Sequence, residues 1–297
     1  MIIIEDLDLA SIKKSVLIVR DDLFPFPGGG NKARKIIEIA KDVERNKCNA
    51  VITTGGIQSN HCRATAIMSR IKGWNCKIIY HGTEERFYSE KGNALLIRQT
   101  GVDVEFCSSG EISDRMDNAM HEFEKLGKKP YYIRGGGHNM AGGKAYIDAI
   151  DELVKENINP DYIILASGTG STQAGIMAGL DKSGFDKTKV IGISVARERE
   201  RGAKVIKEFY DELLINYNIE GLNRDVIFYD DWLYGGYEKK TDELESFINE
   251  IGRKYGIFLD TTYTGKAFKA LIDLLSNNKI SGKILFWHTG GLMNLMA

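Results

Sequence analysis

Short apolar runs that alternate with amphipathic helical patterns are the feature of this chain that most restricts its fold. Nine such runs, four to six residues long and rich in β-branched side chains, fall at residues 16–19, 50–54, 77–81, 102–106, 131–134, 162–166, 190–195, 226–229 and 283–288. Most are apolar throughout rather than alternating, the pattern of strands covered on both faces. Between them, Ala33, Ile36, Ile37 and Ala40 share one helical face, Ala141, Ala145, Ile150 and Leu153 a second, and Leu244, Phe247, Ile248 and Ile251 a third. The alternation predicts an α/β chain whose mostly parallel sheets are flanked by helices. In such sheets the loops that follow the strands build the site, and small residues stand there repeatedly. Thr54 is followed by Gly55, Arg134 by Gly135, Ala166 by Ser167 and Gly168, and His288 by Thr289 and Gly290. Four loops of this kind suggest one cleft lined from several strands, more than a single dinucleotide fingerprint needs.

The balance of charge narrows the partners. Lys and Arg number 40 against 41 Asp and Glu, a formal net charge of −1, which does not suit nucleic acid or an anionic membrane as the main partner. The apolar run from Met1 to Ile4 stops at Glu5 and Asp6, short of a signal-peptide core, and no window reaches the roughly 20 apolar residues of a membrane span. A cytoplasmic protein is expected. Cys48, Cys62, Cys76 and Cys107 form no CxxC pair, and His61, His81, His121, His138 and His288 lack ligand spacing, so neither a disulfide framework nor a metal site is expected.

Several stretches carry chemistry. Gly28-Gly29-Gly30-Asn31-Lys32-Ala33-Arg34-Lys35 reads as a sharp turn, an N-cap at Asn31 and a helix start. Lys32 then sits at the positive end of a helix dipole, which disfavours its ammonium form, and a neutral amine is what a Schiff base with an aldehyde cofactor requires. The plain alternative is a loop-to-helix junction with exposed lysines. Gly55-Gly56-Ile57-Gln58-Ser59-Asn60-His61-Cys62-Arg63 places Ser59 and Asn60 at a helix N-terminus, suited to a carboxylate and to a proton relay through the Ser59 hydroxyl, or to simple capping. Cys62, inside the first turn, reads as packing.

Ser167-Gly168-Thr169-Gly170-Ser171-Thr172-Gln173 follows a strand and opens a helix, forming a cup for a phosphate monoester. A dinucleotide fingerprint would need its third glycine where Gln173 stands, and the strand at 190–195 ends without an acidic residue for a ribose. Asp260-Thr261-Thr262-Tyr263-Thr264-Gly265-Lys266, Trp287-His288-Thr289-Gly290-Gly291 and Tyr234-Gly235-Gly236-Tyr237 add hydroxyls beside glycines. The run from Arg197 to Arg201 reads as a solvated helix face.

Together these stretches resemble the D-cysteine desulfhydrase and 1-aminocyclopropane-1-carboxylate (ACC) deaminase family of fold-type-II, tryptophan-synthase-β-like pyridoxal-phosphate enzymes. The matches run in family order from Arg20-Asp21-Asp22-Leu23 to His288-Thr289-Gly290-Gly291. The resemblance implies pyridoxal 5'-phosphate carried on Lys32, with Asn60 on its phenolic oxygen and Gly168, Thr169, Gly170, Ser171, Thr172 and Lys35 on its phosphate. Thr264 would lie beside the pyridine nitrogen, with Thr289 also at the cofactor. Gln58, Ser59 and His61 would surround the substrate carboxylate, while Lys32 with Ser59, and Tyr237 and Tyr263, would move protons. The implied fold has a large cofactor domain, residues 1–37 and 141–297, and a smaller inserted α/β domain, residues 38–140. A homodimer acting on a small amino acid is implied.

Two positions bear on the choice of reaction. The ACC-deaminase type has Glu where this chain has Thr264 and Leu where it has Thr289, so both match the desulfhydrase type. A neutral Thr leaves the pyridine ring a weaker electron sink, enough for β-elimination of a thiolate from D-cysteine but less suited to opening a cyclopropane. His138, Glu238 and a short 81–94 segment depart from the family pattern and leave the substrate open among D-cysteine, L-cysteate and related β-substituted amino acids. ACC deamination, racemisation and cofactor binding without turnover are the alternatives.

Overall fold

The computed structural model describes residues 2–297. Numbered along the chain, the strands are β1 (Ile4–Leu9), β2 (Lys14–Arg20), β3 (Ala50–Gly55), β4 (Asn75–His81), β5 (Asp103–Cys107), β6 (Pro130–Tyr132), β7 (Tyr162–Ser167), β8 (Lys189–Ser194), β9 (Ile227–Tyr229) and β10 (Ile284–His288). All nine runs read from the sequence are strands, within a few residues at their ends. β1 is the strand that the sequence did not announce. Its charges explain why: Leu7 and Leu9 point inward while Asp6 and Asp8 are exposed, the alternation of an edge strand with one wet face.

The chain forms two compact units. One runs to Asn31 and resumes over Gly143–Leu292; the other comprises Lys32–Gly142 and Met293–Ala297. The sequence reading divided the chain after residues 37 and 140 and left 293–297 with the larger part. Met293–Ala297 groups with the smaller unit because Asn294 is hydrogen-bonded there to Asn60 and to the carbonyl of Gln58.

The larger unit holds a six-stranded sheet in the order β1-β2-β10-β7-β8-β9. Only the β1–β2 pair is antiparallel; the other pairings are parallel. Its core packs Ile164, Ile193 and Phe286 from the sheet against Leu244, Ile248 and Ile251 of the helix Asp242–Tyr255 and Phe268 and Leu271 of the helix Thr264–Ser276. Gln173 supplies the clearest argument against a dinucleotide fingerprint. Its side chain lies where a Cβ on Gly192 would sit, and its Nε2 donates to Ile227 O at 2.9 Å. The position ties β8 to β9 and leaves no role for a third glycine.

Parallel order sets the C-terminal ends of β2, β10 and β7 side by side, with His288 opposite Arg20 and Trp287 opposite Leu165. Asp21 fixes this edge. Its buried carboxylate accepts from Tyr146 Oη at 2.6 Å and Trp287 Nε1 at 2.8 Å, and its carbonyl accepts from Gly30 N at 2.7 Å. Gly30, at φ +87°, comes within van der Waals range of Gly290, and a Cβ there would press on the Thr289 carbonyl.

The smaller unit is a fully parallel four-stranded sheet in the order β5-β4-β3-β6. Ala50, Ile52 and Ile79 pack on Met116, Ala119 and Phe123 of the helix Ile112–Lys125. The loops after β3 and β6 lie together, Gly135 against Thr54. Asp21→Ala strips a buried acceptor from two donors, and an unmet buried donor costs about 1–3 kcal/mol. Urea unfolding of that variant is expected to show a loss of about 2 kcal/mol or more, with the Trp287 environment altered in near-ultraviolet circular dichroism.

Candidate active site

In the smaller unit the loops after β3 and β6 gather a group of bases. Lys32, near the start of the helix Asn31–Arg45, donates from Nζ to Gly136 O at 3.0 Å. Loss of hydration lowers its amine to about 8. Burial is the cause, at the helix start that the sequence suggested. Lys35, one turn on and 1% exposed, is lowered well below an ordinary lysine by burial and then by the nearby Lys32. His61 is lowered by burial and then by both lysines.

The His61 tautomer follows from its neighbour. Thr53 Oγ1 donates to Ile133 O at 2.9 Å, so it accepts from His61 Nε2 at 2.7 Å. His61 Nδ1 is then a buried lone pair with no hydrogen-bond partner among the described residues. The sequence reading places His61 beside the substrate carboxylate, and a neutral ring in this tautomer turns a lone pair, not a ring proton, to whatever it meets there. Gln58, the other side chain read at the carboxylate, is held by its neighbours. Its Nε2 donates to Glu90 Oε2 at 2.9 Å and Lys91 O at 3.0 Å, and its Oε1 accepts from Asn93 N at 2.9 Å, so both donors are held within the protein.

Ser59 caps the helix Asn60–Lys72, its Oγ accepting from Cys62 N at 3.2 Å. The Ser59 hydroxyl also lies within reach of the Cys62 sulfur, and the cap opens a thirteen-residue helix. Asn60 Nδ2 donates to Asn294 Oδ1 at 2.5 Å. Cys62 is fully buried and its thiol is pushed up to about 12 by burial, which fits packing and not nucleophilic chemistry.

The larger unit holds a second group. The helix Ser171–Lys182 begins after Gly170, whose φ of 88° turns the chain into it. Thr169 Oγ1 and Ser171 Oγ lie 3.3 Å apart, and Asn31 Nδ2 donates to Thr172 Oγ1 at 3.2 Å. Asn31 therefore opens its helix with its amide N–H turned to Thr172 rather than capping through its oxygen. Arg197 braces the cup by donating to Gly168 O. It is half-buried and lowered by loss of hydration, so this member of the Arg197 to Arg201 run is not part of a solvated face.

The hydroxyl loops are equally specific. Asp260 is buried and accepts from the backbone N–H of Thr262, Tyr263 and Thr264, and from Thr264 Oγ1 at 2.8 Å. The only hydroxyl proton of Thr264 is thus committed to Asp260, and its outward capacity is a lone pair. Tyr237 and Tyr263 share a hydrogen bond of 2.7 Å, and Tyr263 is raised well above an ordinary phenol by burial, then by Tyr237. Lys266 donates to Leu233 O at 2.8 Å and Gly236 O at 2.7 Å, pinning the loop that carries Tyr237. Glu238, where the family commonly has Gly, stands at φ 56°, a conformation that favours glycine. Thr289 is buried and its carbonyl accepts from Asn31 N at 2.9 Å. Gly290 N donates to His288 Nδ1 at 3.2 Å while His288 Nε2 donates to Phe258 O, so this histidine is neutral as well.

The residues suit a phosphorylated aldehyde. The smaller unit offers a dehydrated amine and a second buried lysine, and the larger unit, by itself, a glycine-turned helix start edged with hydroxyls. Comparison with known proteins agrees. The family model described as pyridoxal-phosphate dependent enzyme matches residues 5–290. The D-cysteine desulfhydrase of Yersinia enterocolitica is 32% identical over 293 residues, covering 96% of this chain and 88% of that protein. A putative 1-aminocyclopropane-1-carboxylate deaminase of Pyrococcus furiosus is 32% identical over 284 residues, covering 93% and 84%. The crystal structure of an ACC deaminase homologue superposes with a TM-score of 0.91 at 31% identity, covering 99% of this chain and 90% of that one. Fold and matches define a fold-type-II pyridoxal-phosphate enzyme. More narrowly, the chain belongs to the D-cysteine desulfhydrase/ACC deaminase family.

With its amine lowered to about 8, Lys32 of the apoprotein is protonated below that pH and neutral above it. Its labelling by an amine-specific reagent, read by peptide mapping, is expected to rise through a midpoint near pH 8 and then level off. An ordinary lysine keeps gaining reactivity towards pH 10.5. A Lys32 midpoint at that higher value would contradict the desolvated amine.

Proposed function

We propose that this protein is a β-eliminating lyase acting on D-cysteine or a close β-substituted analogue. With one water, D-cysteine yields pyruvate, ammonia and hydrogen sulfide. The observation that carries the choice is Thr264, a neutral hydroxyl whose proton is held by Asp260, where the ACC-deaminase type has Glu. When bound, pyridoxal 5'-phosphate supplies the electron sink for the pair left at Cα.

In this reading Lys32 would carry the cofactor until the substrate amine replaces it there, and its freed Nζ would then take the Cα proton. Ser59 Oγ and the first N–H groups of the helix Asn60–Lys72 hold the substrate carboxylate. Asn60 meets the phenolic oxygen. Gly168, Thr169, Gly170, Ser171, Thr172 and Lys35 hold the phosphate, with Thr264 at the pyridine nitrogen and Thr289 beside it. Tyr237 and Tyr263 face the leaving sulfur. The raised Tyr263 keeps its proton, so the pair gives a hydrogen bond to the departing thiolate rather than acting as a base. A homodimer in the cytoplasm is part of the same reading.

A survey of D- and L-amino acids tests it. Pyruvate and sulfide are expected from D-cysteine. Release of 2-oxobutanoate from ACC, of sulfite from L-cysteate, or inversion at Cα without elimination would each assign a different reaction. Tyr263→Phe is expected to lower kcat by on the order of 100-fold while the absorption of the bound cofactor is unchanged. A variant with full activity would remove the tyrosine pair from the chemistry.

A further inference from the structure

The helix Asn60–Lys72 also carries a buried guanidinium. Arg63 is 1% exposed. Its Nη1 donates to Asn60 Oδ1 and to Asn93 Oδ1, each at 3.2 Å. Asn93 Nδ2 donates to the same Asn60 Oδ1 at 3.1 Å and to Gln58 O at 3.0 Å. On its other side, Asn60 gives one Nδ2 hydrogen to Asn294 Oδ1, and Asn294 Nδ2 donates to Gln58 O at 2.9 Å. All five residues belong to the smaller unit.

A count of donors and acceptors gives this network a direction. An asparagine amide has two lone pairs on oxygen and two N–H donors on nitrogen. Both Asn60 lone pairs are taken, by Arg63 and Asn93, so the amide cannot flip without setting its NH2 against two donors. Asn294 takes one N–H. The other is the capacity left for a ligand. Burying a guanidinium is costly, and a scaffold that needed only an amide lock could use neutral donors throughout. Burial lowers Arg63 to about 10, whereas Asp22 and Glu5 raise Arg20.

We infer that Arg63 is a positioning residue that locks the Asn60 amide with its nitrogen outward and, through that amide, strengthens the donor offered to the phenolic oxygen of the cofactor. The inference rests on the assignment of Asn60 made under the proposed function. A cation one hydrogen bond behind a donor polarises it and favours the deprotonated oxygen that it meets. The other charged groups around the network have their own partners. Glu90 is held by Arg86 and Gln58, Arg98 by the carbonyls of Phe87 and Glu90, and Lys32 by Gly136 O. Lys35 stands with Lys32 and His61.

The test is a pH titration of the visible absorption of the holoprotein, without substrate, for wild type, Arg63→Gln, Arg63→Lys and Asn93→Ala. Removing the charge in Arg63→Gln is expected to raise the midpoint by about one pH unit, a tenfold change in proton affinity. Arg63→Lys keeps the charge but loses the planar fork, and it should shift the midpoint by less. Asn93→Ala should shift it in the same direction. A coloured Arg63→Gln protein with the wild-type midpoint overturns the inference. Should that variant fail to fold, wild-type midpoints in both Arg63→Lys and Asn93→Ala overturn it equally. A wild-type protein that takes up no cofactor fails at the Lys32 assignment instead, and the inference falls with it.

Discussion

Exclusion of water from one small volume governs the chemistry of this protein. Lys32, Lys35 and His61 are three bases of the same unit, each drawn towards its neutral form by burial, and Lys35 and His61 further by like charge. Such a group is unfavourable when charged and reactive when neutral. A phosphorylated aldehyde answers both conditions. Under the proposed function it would take up the neutral amine of Lys32 and bring negative charge to the two bases that remain.

The scaffold exists to hold such groups at strand ends. β2, β10 and β7 lie side by side in one sheet, and the buried Asp21, just after β2, ties that end to Trp287 of β10, to Tyr146 and to Gly30. The Gly28 to Lys32 turn, the Thr289 loop and the Thr172 helix start are thereby connected through Asn31. In the other sheet the ends of β3 and β6 do the same for Ser59, His61 and Gly136. At Gly29, Gly30, Gly170, Gly290 and Gly291 a positive φ and a close approach coincide.

What could be read from the sequence divides along physical lines. Strands buried on both faces must be apolar throughout, so nine of ten announced themselves, while β1, with Asp6 and Asp8 turned to solvent, did not. The candidate loops of small and hydroxyl-bearing side chains stood out because such residues at strand ends mark tight turns and helix starts. Partners distant in sequence were not. Nothing near Arg63 predicts Asn93 or Asn294, nothing near Arg197 predicts the Gly168 carbonyl, and Thr264 gave no sign that its proton belongs to Asp260. Gln58 and His61 stand in a motif read as substrate-binding, and nothing in that motif announces that their donors go to Glu90, Lys91 and Thr53.

The central claim concerns one nitrogen, and one measurement addresses it. Purified protein loaded with pyridoxal 5'-phosphate is reduced with borohydride, digested and mapped by mass spectrometry. The account predicts a single stably modified peptide with the phosphopyridoxyl group on Lys32. Modification at Lys35, Lys266 or scattered surface lysines, with Lys32 unmodified, would contradict it.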